Sequence, residues 1–346
     1  MKPVRLGIIG LGHITRNAHL PPLAQMAESG EVVLQAFCDV DEDTVAEQGK
    51  EWGARAIYTD HRAMLDQEDL DGVYVCLPPT LHTDAELLAA EKGIALFVEK
   101  PQSLNMAQAV AFGQAIDTSG IVSQVGFMSR YYPSAEFVVE MLDNRTARHA
   151  QAQLWYSGKH IRYWTSRMAL CGGSFVENTI HMVDLLRFFL GDIEAVSAFY
   201  VERQSGEGPE PINMPHVYNV NYRFKSGAVA NALTSRVLTN TSHARREVTV
   251  VADDALLEWS ANKVALNGED VEVWDDRPNA FALQAQAFVD AVRKDDTSLM
   301  RSPYGEALNS LAAVLGANAS AERGGEIVLL EDVASGRVTW SPEEDV

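Results

Sequence analysis

Five short apolar runs near the amino terminus, Val4–Ile9, Val32–Cys38, Val73–Leu77, Ala95–Val98 and Ile121–Phe127, alternate with helical patterns over Ile14–Glu28, Asp43–Trp52, Thr83–Lys92 and Met106–Ser119. Each run is nearly continuous in apolar residues rather than alternating, which is the pattern of a strand buried on both faces. Such a strand needs a helical layer on either side, and strict strand–helix alternation supplies both through right-handed crossovers. The first third therefore predicts a doubly wound parallel α/β sheet. Gly93 and Gly120 fall where helix C-caps belong.

From about Ala150 the rhythm changes. One helical stretch, Ser174–Leu190, precedes strand-like runs at Ala195–Val201, Val217–Phe224, Ala228–Thr234, Glu247–Ala252, Ala255–Trp259 and Val271–Trp274. Lys225-Ser226-Gly227 and Asn267-Gly268 suit hairpin turns between them. Strands without intervening helices predict a second α/β domain with a large, mostly antiparallel open sheet. The expected division is 1–125 and 126–346. Two late helical stretches, Phe281–Arg293 and Tyr304–Arg323, either pack on that sheet or return to the first domain. Gln204–Pro215 reads as an exposed loop.

With 28 Lys and Arg against 48 Asp and Glu, the formal charge is −20, and it is spread along the chain. Such a surface repels phosphate backbones and anionic lipid heads, so neither nucleic acid nor membrane is the expected partner. Cys38, Cys76 and Cys171 have no metal-ligand or redox-motif spacing and read as inert buried thiols in a reducing compartment. No export signal precedes the first strand, and the expected location is the cytoplasm.

The first strand runs into Gly10-Leu11-Gly12-His13-Ile14-Thr15. A dinucleotide site needs one glycine where the chain turns out of its strand and another where backbone amides approach the pyrophosphate. The helix that follows presents its N–H groups and positive dipole end to the phosphates. Gly10 and Gly12 fit these places; Thr15 stands where the third small residue is usual. The second strand ends at Asp39, whose carboxylate would accept from the adenosine ribose hydroxyls and repel a 2′-phosphate. NAD is thus expected over NADP.

Asp71-Gly72-Val73-Tyr74-Val75-Cys76-Leu77-Pro78-Pro79-Thr80-Leu81-His82, Phe97-Val98-Glu99-Lys100-Pro101, and a helix opened by Gly172-Gly173-Ser174 that carries His181 and Asp184 extend the pattern. Together with the glycine turn, this sequence resembles the glucose–fructose oxidoreductase / inositol dehydrogenase / rhizopine-catabolism (Gfo/Idh/MocA) family along nearly its whole length. The resemblance implies a Rossmann domain, and a second domain whose sheet makes homodimer or homotetramer contacts. It implies oxidation of a secondary alcohol of a sugar, sugar derivative or cyclic polyol, or the reverse reduction. It makes Lys100 the lysine beside the nicotinamide and His181 the catalytic histidine. Leu77, Pro78, Thr80 and His82 line the cofactor cleft, Glu99 lies near the nicotinamide ribose, and Lys100–Pro101 is a candidate cis peptide.

The chemistry agrees with these roles. Removing hydride from a carbinol requires loss of the hydroxyl proton, and histidine is the natural base near neutral pH. A lysine ammonium stabilises the developing alkoxide. Glu177, His181 and Asp184 share a helix face at α-helical spacing. Glu177 stands where many relatives have aspartate, and it also completes a capping box with Ser174, so active-site and cap roles compete. Asp184 orients His181 or serves a local polar pocket. No second histidine completes a metal site. Trp155–Arg167 is rich in aromatic and basic residues; Trp164 and Arg167 are either substrate contacts or packing. Arg130 lines the cleft or serves a hinge. Two rival functions remain at this point: redox-neutral glycoside cleavage with tightly held NAD, and a non-catalytic NAD-binding regulator.

Overall fold

A computed structural model describes residues 2–156, 163–203, 212–238, 244–274 and 276–342. The chain forms two compact units. One comprises Met1–Gln102, Ala109–Tyr131 and Asn279–Ala307; the other comprises Ser103–Gln108, Tyr132–Pro278 and Leu308–Val346.

The first unit contains β1 (Val4–Ile9), α1 (Leu20–Glu28), β2 (Val32–Cys38), α2 (Glu42–Trp52), β3 (Ala56–Tyr58), α3 (His61–Gln67), β4 (Gly72–Val75), α4 (Ala85–Lys92), β5 (Ala95–Val98), most of α5 (Met106–Ser119) and β6 (Ser123–Val125). The six strands pair in the order β3-β2-β1-β4-β5-β6, all parallel. Chain order reverses between β1 and β4, so the carboxyl ends of these strands open the crevice where open α/β sheets take their ligands. The short pair β3 and α3 has no counterpart among the expected elements. Ala56–Tyr58 is too brief, and too little buried, to show as an apolar run.

The unit is completed by a return of the chain. The division expected at residue 125 leaves this segment out. Helix α9 runs from Ala280 to Lys294, capped by Asn279, whose Oδ1 accepts from the Ala282 N–H at 3.2 Å. Its Ala285, Phe288, Val289 and Val292 follow helical spacing and join a core containing Leu6, Ile8, Phe37, Tyr74 and Phe97. Phe288 meets Tyr74 and Phe97 edge-on, with centroids 5.4 and 5.8 Å apart. Burying one such ring stabilises the unit by roughly 2–3 kcal/mol.

The second unit holds α6 (Pro133–Leu142), β7 (Ala147–Trp155), α7 (Met168–Cys171), α8 (Ile180–Leu190), β8 (Ile193–Val201), β9 (Val217–Phe224), β10 (Val229–Ser235), β11 (Arg245–Ala252), β12 (Leu256–Ser260), β13 (Lys263–Leu266) and β14 (Glu269–Val273). After α9 come α10 (Tyr304–Glu322), which enters this unit at Leu308, β15 (Val328–Leu329) and α11 (Leu330–Ala334). The nine strands lie in the order β14-β13-β12-β11-β7-β10-β9-β8-β15. Only β7 and β10 are parallel; the other pairs are antiparallel. Along β9, Tyr218, Val220, Tyr222 and Phe224 are buried while Asn219, Asn221 and Arg223 are exposed, so one face is covered and the other open. Asn267 and Gly268 both take positive φ, 53° and 87°, the two-residue turn foreseen for that hairpin.

Among the described residues, no helix is long and apolar enough to cross a membrane, and no cluster of three His, Cys, Asp or Glu could hold a metal ion.

Candidate functional site

The chain leaves β1 through Gly10, at φ 86°. A Cβ there would stand 2.5 Å from the Cys76 carbonyl oxygen, because the carboxyl ends of β1 and β4 approach so closely. Gly12 is exposed and a Cβ on it would meet nothing within 4 Å, which leaves its backbone open to a ligand. The two glycines thus fail differently when changed. Gly10→Ala is expected to cost about 2–4 kcal/mol through a backbone clash and a left-handed φ. Gly12→Ala leaves the melting temperature nearly unchanged while weakening dinucleotide binding by about tenfold or more. Thermal melts and cofactor titration separate the two; equal melting temperatures for both variants would contradict the assignment.

Thr15, the departure from the usual third glycine, is fully buried, and its Oγ1 donates to the Gly10 carbonyl at 2.7 Å. The hydroxyl satisfies an acceptor that the sharp turn leaves open. Thr15–His19 forms a single π turn before α1 begins, with Ile14 as its leading residue and His13 exposed beside it.

Asp39 follows β2. Its Oδ2 accepts from the Leu11 N–H at 2.8 Å and its Oδ1 from the Asp41 N–H at 3.1 Å. The carboxylate is therefore locked onto the glycine turn itself. The neighbouring Cys38 thiol is pushed up to about 12 by burial, with Asp39 and Asp60 adding to the shift. Burial likewise pushes Cys171 to about 12 and raises Cys76 strongly. All three thiols are free and buried. None should react with iodoacetamide in the native protein, and all three should react after guanidinium denaturation, as mass spectrometry would record.

Beyond β4, Leu77-Pro78-Pro79-Thr80-Leu81 loops to His82. The His82 ring is buried: Nδ1 pairs with Glu86 Oε1, and Nε2 lies 3.2 Å from the Leu77 carbonyl. Both ring nitrogens thus brace the loop from within. Glu99 and Lys100 stand just past the carboxyl end of β5, and Lys100–Pro101 is cis. Glu99 Oε1 lies 2.7 Å from His19 Nε2, both side chains being almost wholly buried, and its Oε2 accepts from the Lys100 N–H at 3.0 Å. Glu99 fixes the backbone that carries Lys100. His19 belongs to no recognisable motif and lies far from Glu99 in sequence, so no local signal marked it. Arg130, buried, donates to the Arg301 carbonyl and pairs with Glu306 at 3.1 Å, which commits much of its guanidinium within the first unit.

In the second unit, Gly172 and Gly173 take φ 72° and 86°, and a Cβ on Gly173 would stand 2.9 Å from Tyr218 Oη. The Ser174 N–H donates to that same oxygen at 3.1 Å, and the Ser174 side chain makes no cap bond. The expected capping box is not formed. A second π turn, Phe175–Thr179, opens the helix instead, and Thr179 Oγ1 donates to the Ser174 carbonyl at 3.3 Å, repeating the Thr15–Gly10 arrangement. The wider turn takes Glu177 out of strict α-helical register with His181. His181 is 7% exposed in the first turn of α8. Asp184 Oδ1 accepts from Ser310 Oγ at 2.8 Å, and Arg187 donates to the same hydroxyl at 3.0 Å, so Asp184 sits in a buried polar network on α8 and α10.

Trp164 is half-buried in a short helical turn, and the Arg167 guanidinium lies 5.4 Å from the Tyr163 ring centroid. Lys159, His160 and Arg162 lie outside the described residues. Sequence reasoning passed over Arg236, which immediately follows β10 and is 6% exposed. A lone arginine past a strand end carries no pattern that would single it out.

A family model described as the GFO_IDH_MocA oxidoreductase family, NAD-binding Rossmann fold, matches residues 4–127, and a GFO/IDH/MocA C-terminal domain model matches residues 146–258. Myo-inositol 2-dehydrogenase of Thermotoga maritima is 28% identical over 247 residues, covering 67% of this chain and 69% of that protein. D-xylose 1-dehydrogenase (NADP(+)) 2 of Haloferax volcanii is 23% identical over 337 residues, covering 93% and 99%. A levoglucosan dehydrogenase solved in complex with NADH and L-sorbose superposes with a TM-score of 0.83 at 18% identity, covering 95% of this chain and 99% of that one.

Proposed function

Because the chain belongs to the Gfo/Idh/MocA oxidoreductase family, we propose that it is an NAD-dependent dehydrogenase transferring hydride between nicotinamide and a secondary alcohol of a sugar, sugar derivative or cyclic polyol. The observation that carries the cofactor half is the glycine turn locked to Asp39 through the Leu11 N–H. Residues from Gly10 to Ile14 would hold the pyrophosphate against backbone N–H groups and the positive end of the π-turn helix, and Asp39 would hold the adenosine ribose. Leu77, Pro78 and Thr80 would line the nicotinamide side, with His82 bracing their loop and Glu99 positioning Lys100. NAD in place supplies a hydride acceptor at its nicotinamide ring.

The chain's own groups do the rest. Lys100 orients the substrate hydroxyl and stabilises its oxygen as negative charge develops. His181 takes the hydroxyl proton. Glu177, relieved of the cap role, supports the reading of an active-site carboxylate that orients substrate hydroxyls. Trp164 offers a ring for a sugar face and Arg167 a donor fork. The open sheet face carries Phe199 at 59% exposure, Val201 at 56% and Val229 at 49%, which supports a homodimer or homotetramer formed through it. Free buried thiols suit a cytoplasmic enzyme.

A panel of sugars, inositols and sugar acids, each with NAD and with NADP and followed by reduced-cofactor absorbance, tests the reading. Turnover of at least one compound with NAD is expected. Firm NAD binding with no turnover across the panel would remove the dehydrogenase reading.

A further inference from the structure

The one parallel pair in the nine-stranded sheet ends with Trp155 opposite Ser235. The next residues, Tyr156 and Arg236, therefore stand side by side at the carboxyl edge of that pair. The Tyr156 N–H donates to the Ser235 carbonyl at 3.1 Å and the Arg236 N–H to the His216 carbonyl at 2.9 Å, so both backbones are fixed. The Arg236 guanidinium lies 4.1 Å from the Tyr156 ring centroid. Arg236 Nε is enclosed and has no hydrogen-bond partner among the described residues, and the Tyr156 phenol is enclosed beside Ser174 and Arg236.

We propose that Arg236 and Tyr156 recognise a carboxylate on the substrate, so that the sugar or polyol is an acid rather than a neutral compound. This rests on the dehydrogenase reading above. A guanidinium removed from water with an open donor costs several kcal/mol unless an acceptor arrives. The fork of an arginine matches a planar carboxylate better than an isolated hydroxyl. Burial raises the pKa of the Tyr156 phenol, with Arg236 opposing the shift, so the phenol stays protonated and can donate. Thr234 Oγ1, two residues before Arg236, lies 2.7 Å from Thr179 Oγ1, two residues before His181, so the pair borders the helix that carries His181. The overall charge of −20 does not oppose an anion here, since fields from distant surface groups are screened beyond about 8–10 Å.

The test compares kcat/KM for D-glucuronate against D-glucose and D-galacturonate against D-galactose, with NAD, in the wild type, Arg236→Gln, Arg236→Lys and Tyr156→Phe. The wild type should prefer the acids by about tenfold or more, and Arg236→Gln should lower that preference by about 100-fold, mainly through KM. Arg236→Lys should keep part of the preference, and so should Tyr156→Phe, which retains the ring under the guanidinium. Thermal melts identify any variant that fails to fold, in which case Tyr156→Phe decides. Equal or better turnover of the neutral sugars by the wild type would overturn the carboxylate assignment and leave the dehydrogenase reading standing. If no compound turns over, calorimetric titration of the NADH-loaded protein decides: glucuronate binding that Arg236→Gln abolishes supports the assignment, and absent or unaltered binding overturns it.

Discussion

Replacing Lys100 by alanine is expected to lower kcat by about 10³-fold while NAD affinity, measured by titration, stays within about threefold. The asymmetry follows from the Glu99 carboxylate. It holds the backbone N–H of Lys100 and the ring of His19, so the strand end keeps its shape when the ammonium is removed. His181→Gln should cost a similar factor, because the proton then has no base to take it. The double variant should be little slower than either single one, since groups that act on one proton transfer are not additive. Multiplying losses would mean that the two residues serve separate steps. An unchanged kcat in Lys100→Ala would remove that residue from the chemistry.

The second large effect concerns cofactor choice. Asp39→Ser should shift the ratio of kcat/KM with NAD to that with NADP by about 100-fold towards NADP. A carboxylate that repels a phosphate a few ångströms away is worth several kcal/mol at an intermediate dielectric. The same substitution removes the acceptor for the Leu11 N–H, so a stability loss of about 1–2 kcal/mol should accompany it. Steady-state kinetics with both cofactors and a thermal melt check the two parts independently. A variant that loses stability but keeps its preference would make Asp39 a turn-holding residue only.

Much of the first unit was legible because its strands are buried on both faces. Val4–Ile9, Val32–Cys38 and Ala95–Val98 coincide with the observed strands, and Met106–Ser119 with the observed helix. What escaped has particular causes. Helix α9 carries an apolar stripe that would suit either unit, and only its packing on Tyr74 and Phe97 decides between them. The two π turns carry no sequence signature, so Ser174-Phe175-Val176-Glu177 read as a capping box that the wider turn does not form. His19 and Arg236 were hidden because their partners are brought to them by tertiary structure, the one across a parallel sheet and the other past the end of a strand.

Strand β7 was also missed, since Ala147–Trp155 is built of Ala, Gln, Arg and His around a single Leu and a Trp. That composition has a use. Ribosomal synthesis delivers this strand well before either flanking partner, β10 or β11, so the centre of the sheet must wait with both edges bare. A sticky, branched segment in that position would recruit foreign chains during the wait. The blandness that conceals β7 from a reader also conceals it from wrong neighbours, and the sheet can close only after its late-made strands arrive on either side.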